Sequence, residues 1–272
     1  MKKSLLALAF LFLFFPVIAL AHQPRINQAL QTSVPDPEIS KAYYGELTGA
    51  PHTYQIVSTV PFALYANVLV PDIAGQTKDL QAIIIKDNDI NNPIAVLDGQ
   101  NFAWKKFFEP FGYDSYWMGP EYKADVEAGT YAIIVSSQNN TSKYSLAIGE
   151  KEAFDFKETA NALNLIPELK RNFFNESPAN FIFSPFGWGL VLIMFVLAFI
   201  VGFVLRFILK RLTKKSPKNI HLKGRILRTI IGLGLFALAI TTTWSPILLF
   251  FAGFMLFEAS FGWCVIYAVL KK

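Results

Sequence analysis

Cysteine is nearly absent from this chain: Cys264 is the one thiol in 272 residues. That excludes an intrachain disulfide, a zinc ribbon and a CxxC redox pair. Histidine is scarce too, with only His22, His52 and His221. No P-loop and no HExxH sequence occurs, and so few histidines leave little material for a Ser-His-Asp arrangement. Acid all but disappears after Gly187, where Glu258 alone stands against 11 Lys/Arg. Between His22 and Gly187 the sign is reversed, with 12 Lys/Arg against 19 Asp/Glu. The net charge of +5 is therefore the remainder of two opposed regions. The basic region is interleaved with apolar runs, which reads as membrane-flanking charge and argues against nucleic acid as a partner.

Residues 1–21 read as a secretory signal. Lys2 and Lys3 precede an apolar run from Leu5 to Leu20, and Ala19-Leu20-Ala21 has the small residues a signal peptidase requires. Cleavage there leaves His22 first, outside the cytoplasm. Residues 22–42, polar and with Pro24, Pro35 and Pro37, read as a flexible arm.

Residues 43–150 carry an all-β pattern. Strand-length apolar runs are expected at 53–59, 62–70, 81–86, 94–97, 102–107, 123–126, 130–136 and 144–148, separated by Gly, Pro, Asn and Asp. The spacing predicts an antiparallel, jelly-roll-like β-sandwich. Its clearest piece is Ala128-Gly129-Thr130-Tyr131 through Val135, a polar turn, and Tyr144-Ser145-Leu146-Ala147-Ile148. This hairpin resembles the last hairpin of exported pre-peptidase C-terminal sandwiches, which implies a fold more than a function.

Residues 151–182 change period. Ala160, Leu163, Ile166, Leu169 and Phe173 follow helical spacing, with Pro167 expected to open a second short helix. Three transmembrane helices are then expected: one at 183–209, and two forming a hairpin across 226–270. The loop 210–225 carries seven basic residues and no acid. An exported N-terminus followed by three spans puts that loop and Lys271-Lys272 in the cytoplasm, and the positive-inside rule independently asks for the same. The expected location is the cell (inner) membrane, multi-pass.

The hairpin opens with Arg225, Arg228 and Gly232 and closes with Gly262-Trp263-Cys264-Val265-Ile266-Tyr267. These residues resemble the YgaP-like two-helix membrane domain often attached to rhodanese sulfurtransferases, here without a rhodanese. The resemblance implies helix association. Val265 replaces the usual proline of that motif, so no helix break is implied there. Gly232 and Gly234 give the second span a small-residue surface suited to close helix contact, within the chain or with a membrane partner or a second copy. A carboxylate at mid-span costs about 2.5–3.5 kcal/mol on insertion scales, and no cation is evident at the depth of Glu258. Glu258 is thus expected to be protonated, bonded to a neighbouring helix, or paired with another subunit, such as a transporter that this chain serves as an accessory. Cys264 and Tyr267 are expected to pack between helices.

Outside the membrane the candidates are few. Tyr113, Asp114, Tyr116 and Trp117 cluster aromatics around an acid and suit an extracytoplasmic protein or glycan ligand. A free N-terminal His22 with His52 suits copper. Asp87-Asn88-Asp89 offers oxygens for calcium or simply a turn. The leading expectation is a membrane-anchored binding or assembly module without catalysis of its own; the copper-handling protein and the transporter accessory are the alternatives.

Overall fold

The computed structural model describes residues 22–213 and 218–270; the signal-like segment, four residues of the basic loop and Lys271-Lys272 fall outside them. The chain divides into two compact units between Glu176 and Ser177.

The first unit is two β-sheets and a helical segment. Its strands are β1 Gln23–Asn27, β2 Gln31–Ser33, β3 Lys41–Glu46, β4 His52–Ser58, β5 Phe62–Pro71, β6 Gln81–Lys86, β7 Ala95–Asp98, β8 Lys105–Glu109, β9 Asp114–Val126, β10 Gly129–Ser136 and β11 Lys143–Ile148. One sheet runs β1-β3-β11-β5-β9-β8, the other β2-β4-β10-β6-β7. Both feed one core. Leu64, Val68, Leu146 and Ile148 of the six-stranded sheet pack with Tyr54, Ile56, Ile84 and Ile133 of the five-stranded one. Alternation along β4 and the first half of β5 sends every second side chain into that layer, as a period of two requires.

The segment expected as a flexible arm is built into the sheets. β1 pairs with β3 and β2 with β4, both in parallel register, so neither sheet is wholly antiparallel. Asn27 shows why the segment holds. Its Nδ2 donates to the Tyr54 hydroxyl at 2.9 Å, and its Oδ1 accepts from Thr32 at 2.7 Å. These bonds fix the chain between its two short strands. β9 is longer than expected, with a bulge opposite Asn67/Leu69 of β5. Asn67 fills the irregularity by donating to the carbonyls of Gly119 and Pro120, both at 3.2 Å, which satisfies groups that the ladder leaves free.

Helix α1 spans Phe156–Glu168 and is capped by Asp155, whose carboxylate accepts from Glu158 N at 2.7 Å. Pro167 opens no new helix; it lies inside the last turn. Lacking an N–H, it cannot continue the four-residue ladder. The chain widens into a π-helical turn, Leu169–Phe173, where Phe174 N bonds Leu169 O at 3.0 Å. This segment lies on the outer face of the six-stranded sheet: Leu169, Phe173 and Phe174 pack on Leu69, Tyr116 and Ala147. Arg25 of β1 holds the helix start through Glu158 at 2.9 Å.

The second unit is helical. A 3-10 turn, Pro178–Phe183, precedes α2 Pro185–Thr213, α3 Leu222–Thr242, α4 Pro246–Phe261 and α5 Val265–Leu270. Two of these, 185–212 and 222–242, are long and apolar enough to cross a membrane. The continuous third span expected through residue 270 is divided instead. α4 is apolar but has 16 residues, and it ends at Gly262, whose φ of +62° is the left-handed conformation that glycine adopts without a Cβ penalty. The helix break therefore exists without proline at 265. At the opposite end, Trp244 is buried in the α3–α4 turn. It donates its indole N–H to Pro178 O at 2.8 Å and meets Phe181 edge-on.

Candidate functional site

The outer face of the six-stranded sheet and the α1 segment enclose a cavity of about 390 Å³. That lies within the range in which drug-sized ligands are held. Strands β3, β5, β9 and β11 supply its floor with Tyr44, Tyr65, Leu69, Tyr116, Met118 and Ala147; Ile166 and Leu169 come from the helical side. Its polar end is Glu109, Asp114 and Lys170.

Lys170 is 1% exposed, yet it is fully engaged. Its Nζ donates to Asp114 Oδ1 at 2.5 Å and to Tyr113 O at 3.2 Å, and Glu176 stands at 3.7 Å. The π-helical turn carries it to that point. Burial pushes the Asp114 carboxyl up to about 7, against the opposing pull of Lys170. Glu109 is also held above the usual carboxylate range by burial, although Phe111 N and Gly112 N donate to it at 2.7 and 2.6 Å. The β8–β9 turn depends on Gly112, since a Cβ there would stand 2.2 Å from Asp114 Oδ2. Tyr113 follows with φ +62°. The Tyr44 and Tyr116 hydroxyls meet at 3.1 Å, and burial raises both phenols.

The four residues expected to bind ligand therefore separate. Asp114 and Tyr116 line the cavity. Tyr113 contributes its carbonyl to Lys170, while its exposed ring meets Phe108 edge-on. Trp117 faces the other way, donating to Asp72 Oδ1 at 2.8 Å beneath the ammonium of Lys78. Lys170 and Glu109 were not anticipated. A lysine at the end of an amphipathic segment looks like a solvated charge, and only the buried acid it meets reveals otherwise.

His22 and His52 do not share a site. His22 lines the cavity, with its Nδ1 against the Ser40 hydroxyl, and burial lowers its pKa. His52 is 2% exposed on the other sheet, its Nδ1 bonded to the Tyr144 hydroxyl at 2.7 Å. Asp89 takes up Asn91 N and Asn92 Nδ2 in an exposed turn. Among the described residues no group of three or more His, Cys, Asp or Glu side chains could hold a metal ion.

A second polar cluster lies in the helical hairpin and corrects the reading of Glu258. That carboxylate has a cation in its own chain: Arg228 Nε donates to Oε2 at 2.9 Å. Its Oε1 accepts from Val265 N at 2.9 Å, so Glu258 also caps the first turn of α5. Arg225 takes up the carbonyls left free at the end of α4, bonding Ala259 O at 2.7 Å and Ser260 O at 3.1 Å. Asn219 bonds both backbone groups of Cys264, its Nδ2 to the carbonyl at 2.9 Å and its Oδ1 to the N–H at 2.7 Å. Arg228 Nη2 reaches the buried Cys264 sulfur at 3.2 Å, and its guanidinium lies over Tyr267. The residues carrying the sequence motif at each end of the hairpin thus close around the helix break.

Gly232 faces α4, where an added Cβ would stand 3.1 Å from Ala252 O and Leu256. Gly234 faces open space.

Comparison with known proteins agrees with this hairpin. Residues 216–272 match the family of the YgaP-like inner membrane protein transmembrane domain. The chain is therefore a membrane protein carrying that domain, preceded by a β-rich unit. No curated protein matches. The crystal structure of the pre-peptidase C-terminal domain of collagenase from Bacillus anthracis overlaps weakly, with a TM-score of 0.27 at 10% identity. The overlap covers 47% of this chain and 95% of that one.

Proposed function

We propose that this protein is a membrane-anchored binding module whose exported β-sandwich unit holds a ligand in the cavity between its six-stranded sheet and α1, with no catalysis of its own. The observation that carries the reading is the cavity itself: an apolar, aromatic enclosure with buried charged groups at one end. Fixed polar groups in an apolar pocket orient a ligand, which is how small-molecule sites are generally built.

In this reading residues 1–21 direct export. α2, α3 and the α4–α5 pair make three passes, and the basic loop and C-terminus face the cytoplasm. Gly234, facing open space, is the surface through which a second copy or another membrane protein would associate. Glu258 is already engaged by Arg228 and Val265, which removes the main support for a transporter contact through that residue. A copper site would have to use His22 without His52.

A thermal-shift screen of the full chain in detergent, against small-molecule, peptide and glycan sets, tests the binding reading. Stabilising ligands are expected, and Ala147→Leu, which fills the cavity floor, removes their effect. Stabilisers blind to that substitution would contradict the assignment. Orientation is tested separately in cells on a Cys264→Ser background: a thiol at residue 138 should react with a membrane-impermeant maleimide, and one at residue 218 should not.

A further inference from the structure

Building on that binding reading, the charges around the cavity identify the ligand class. Four carboxylates and one lysine line it, Glu109, Asp114, Glu150, Glu152 and Lys170, and Glu150 is paired with Lys123 at 2.7 Å. Lys170 is committed to Asp114 at 2.5 Å, with Glu176 next nearest. Glu109 is different. Among the described residues its hydrogen bonds come from the backbone N–H groups of Phe111 and Gly112, and no side-chain cation touches it. Burial keeps the His22 imidazole below its ordinary pKa, so that ring adds no positive charge near neutral pH. The rings of Tyr44, Tyr65 and Tyr116 line the same space. Aromatic faces beside a carboxylate attract an ammonium group, through the ring quadrupole and through a charge-assisted hydrogen bond.

We infer that the cavity binds an organic cation: an apolar or aromatic body with an ammonium group that pairs with Glu109. The apolar body lies against Leu69, Met118, Ala147 and Ile166, and the ammonium donates to Glu109, whose hydrogen bonds among the described residues come from backbone N–H groups alone. An anionic ligand of the same shape would meet Glu109 and Asp114 with the one lysine of the lining already held by Asp114.

Three matched probes separate this from the broader reading: phenethylamine, 2-phenylethanol and 3-phenylpropanoate, titrated calorimetrically into the full chain in detergent with empty-micelle titrations subtracted. The amine is expected to bind at least about tenfold more tightly than the alcohol, with the acid weakest. Glu109→Gln should remove most of that preference while leaving the alcohol's affinity in place, and Ala147→Leu should abolish binding of the amine. Should Glu109→Gln fail to fold, the ranking of the probes on the unaltered protein still decides. Equal or tighter binding of the alcohol or the acid overturns the cation assignment and leaves the binding cavity standing. Amine binding unchanged by Ala147→Leu overturns the location, and no binding of any probe overturns both.

Discussion

In the β-rich unit Lys170 meets Asp114 at 2.5 Å, and in the helical unit Arg228 meets Glu258 at 2.9 Å. Both pairs are withdrawn from solvent, and both join residues distant in sequence. Their surroundings differ. The Arg228–Glu258 pair is wrapped in backbone contacts: Glu258 caps α5, while Arg225 and Asn219 hold the chain on either side of Gly262. The Lys170–Asp114 pair borders a cavity and has a further acid, Glu109, close by. The first arrangement is closed on itself and holds a helix break in place. The second keeps an acid in reserve beside open space. A buried ion pair is thus a structural device or part of a site according to what adjoins it, because removing charge from water costs several kcal/mol per ion and must be offset locally.

The largest effect expected from breaking this comparison is at Lys170. Lys170→Met leaves Asp114 and Glu109 buried with no cation, and should cost the β-rich unit about 3–5 kcal/mol in denaturant unfolding. The double variant with Asp114→Asn should recover part of that loss. A cost below about 1 kcal/mol would mean the pair is dispensable.

Glu258→Gln should cost less, about 1–3 kcal/mol. The introduced amide oxygen can still accept from Val265 N, and the long side chain of Arg228 can carry its charge towards the interface. Unfolding in mixed micelles measures it, and pairing the change with Arg228→Met should show coupling between the two positions.

The pairs should also differ with pH. Asp114, pushed up to about 7, and Glu109, held high, bind protons more tightly in the folded unit than in the unfolded chain. Their contribution to stability is therefore full below the ordinary carboxylate range and is lost as pH rises through about 7 for Asp114. Melting of the β-rich unit at pH 5 and pH 8 should show this decline, and Asp114→Asn should flatten it. A stability that rises over the same interval would refute the direction of the shift.

The smallest expected difference compares two glycines. Gly232→Ala brings a methyl to 3.1 Å from Ala252 O and should weaken the α3–α4 contact, whereas Gly234→Ala meets nothing within 4 Å. The second should be neutral to within about 0.5 kcal/mol. Its effect should appear in assembly, as a weakened crosslinked dimer; an unchanged dimer would contradict Gly234 as the association surface.

Much of this architecture could be read from residues alone, and the exceptions have physical causes. β6 begins and ends where apolar alternation places it, and the final hairpin lies within a residue of its expected bounds. β1 and β2 escaped because their pairing is parallel and remote, so no turn signal links Gln23 to Lys41. The π-helical turn escaped because Pro167, which lies just before it, looks like a helix start in sequence. Gly262 breaks the last span through its left-handed conformation, so the break did not need the absent proline.

At the sites, Asp114 and Tyr116 were legible as an acid among aromatics, but Trp117 turns inward because neighbouring strand residues face opposite ways. Lys170 and Glu109 become site residues only when the helical segment closes over the sheet. The partner of Glu258 could have been found. Arg228 and Glu258 lie at similar distances from the Thr243–Pro246 turn, and an antiparallel hairpin brings such positions together.

The most direct test of the contrast between the two pairs is calorimetric titration of phenethylamine into three full-length proteins: unaltered, Glu109→Gln and Glu258→Gln. The predicted result is at least about a tenfold loss of affinity in Glu109→Gln and unchanged affinity in Glu258→Gln. Equal loss in both variants, or none in Glu109→Gln, would contradict the assignment of the site to the β-rich unit and of the hairpin pair to structure.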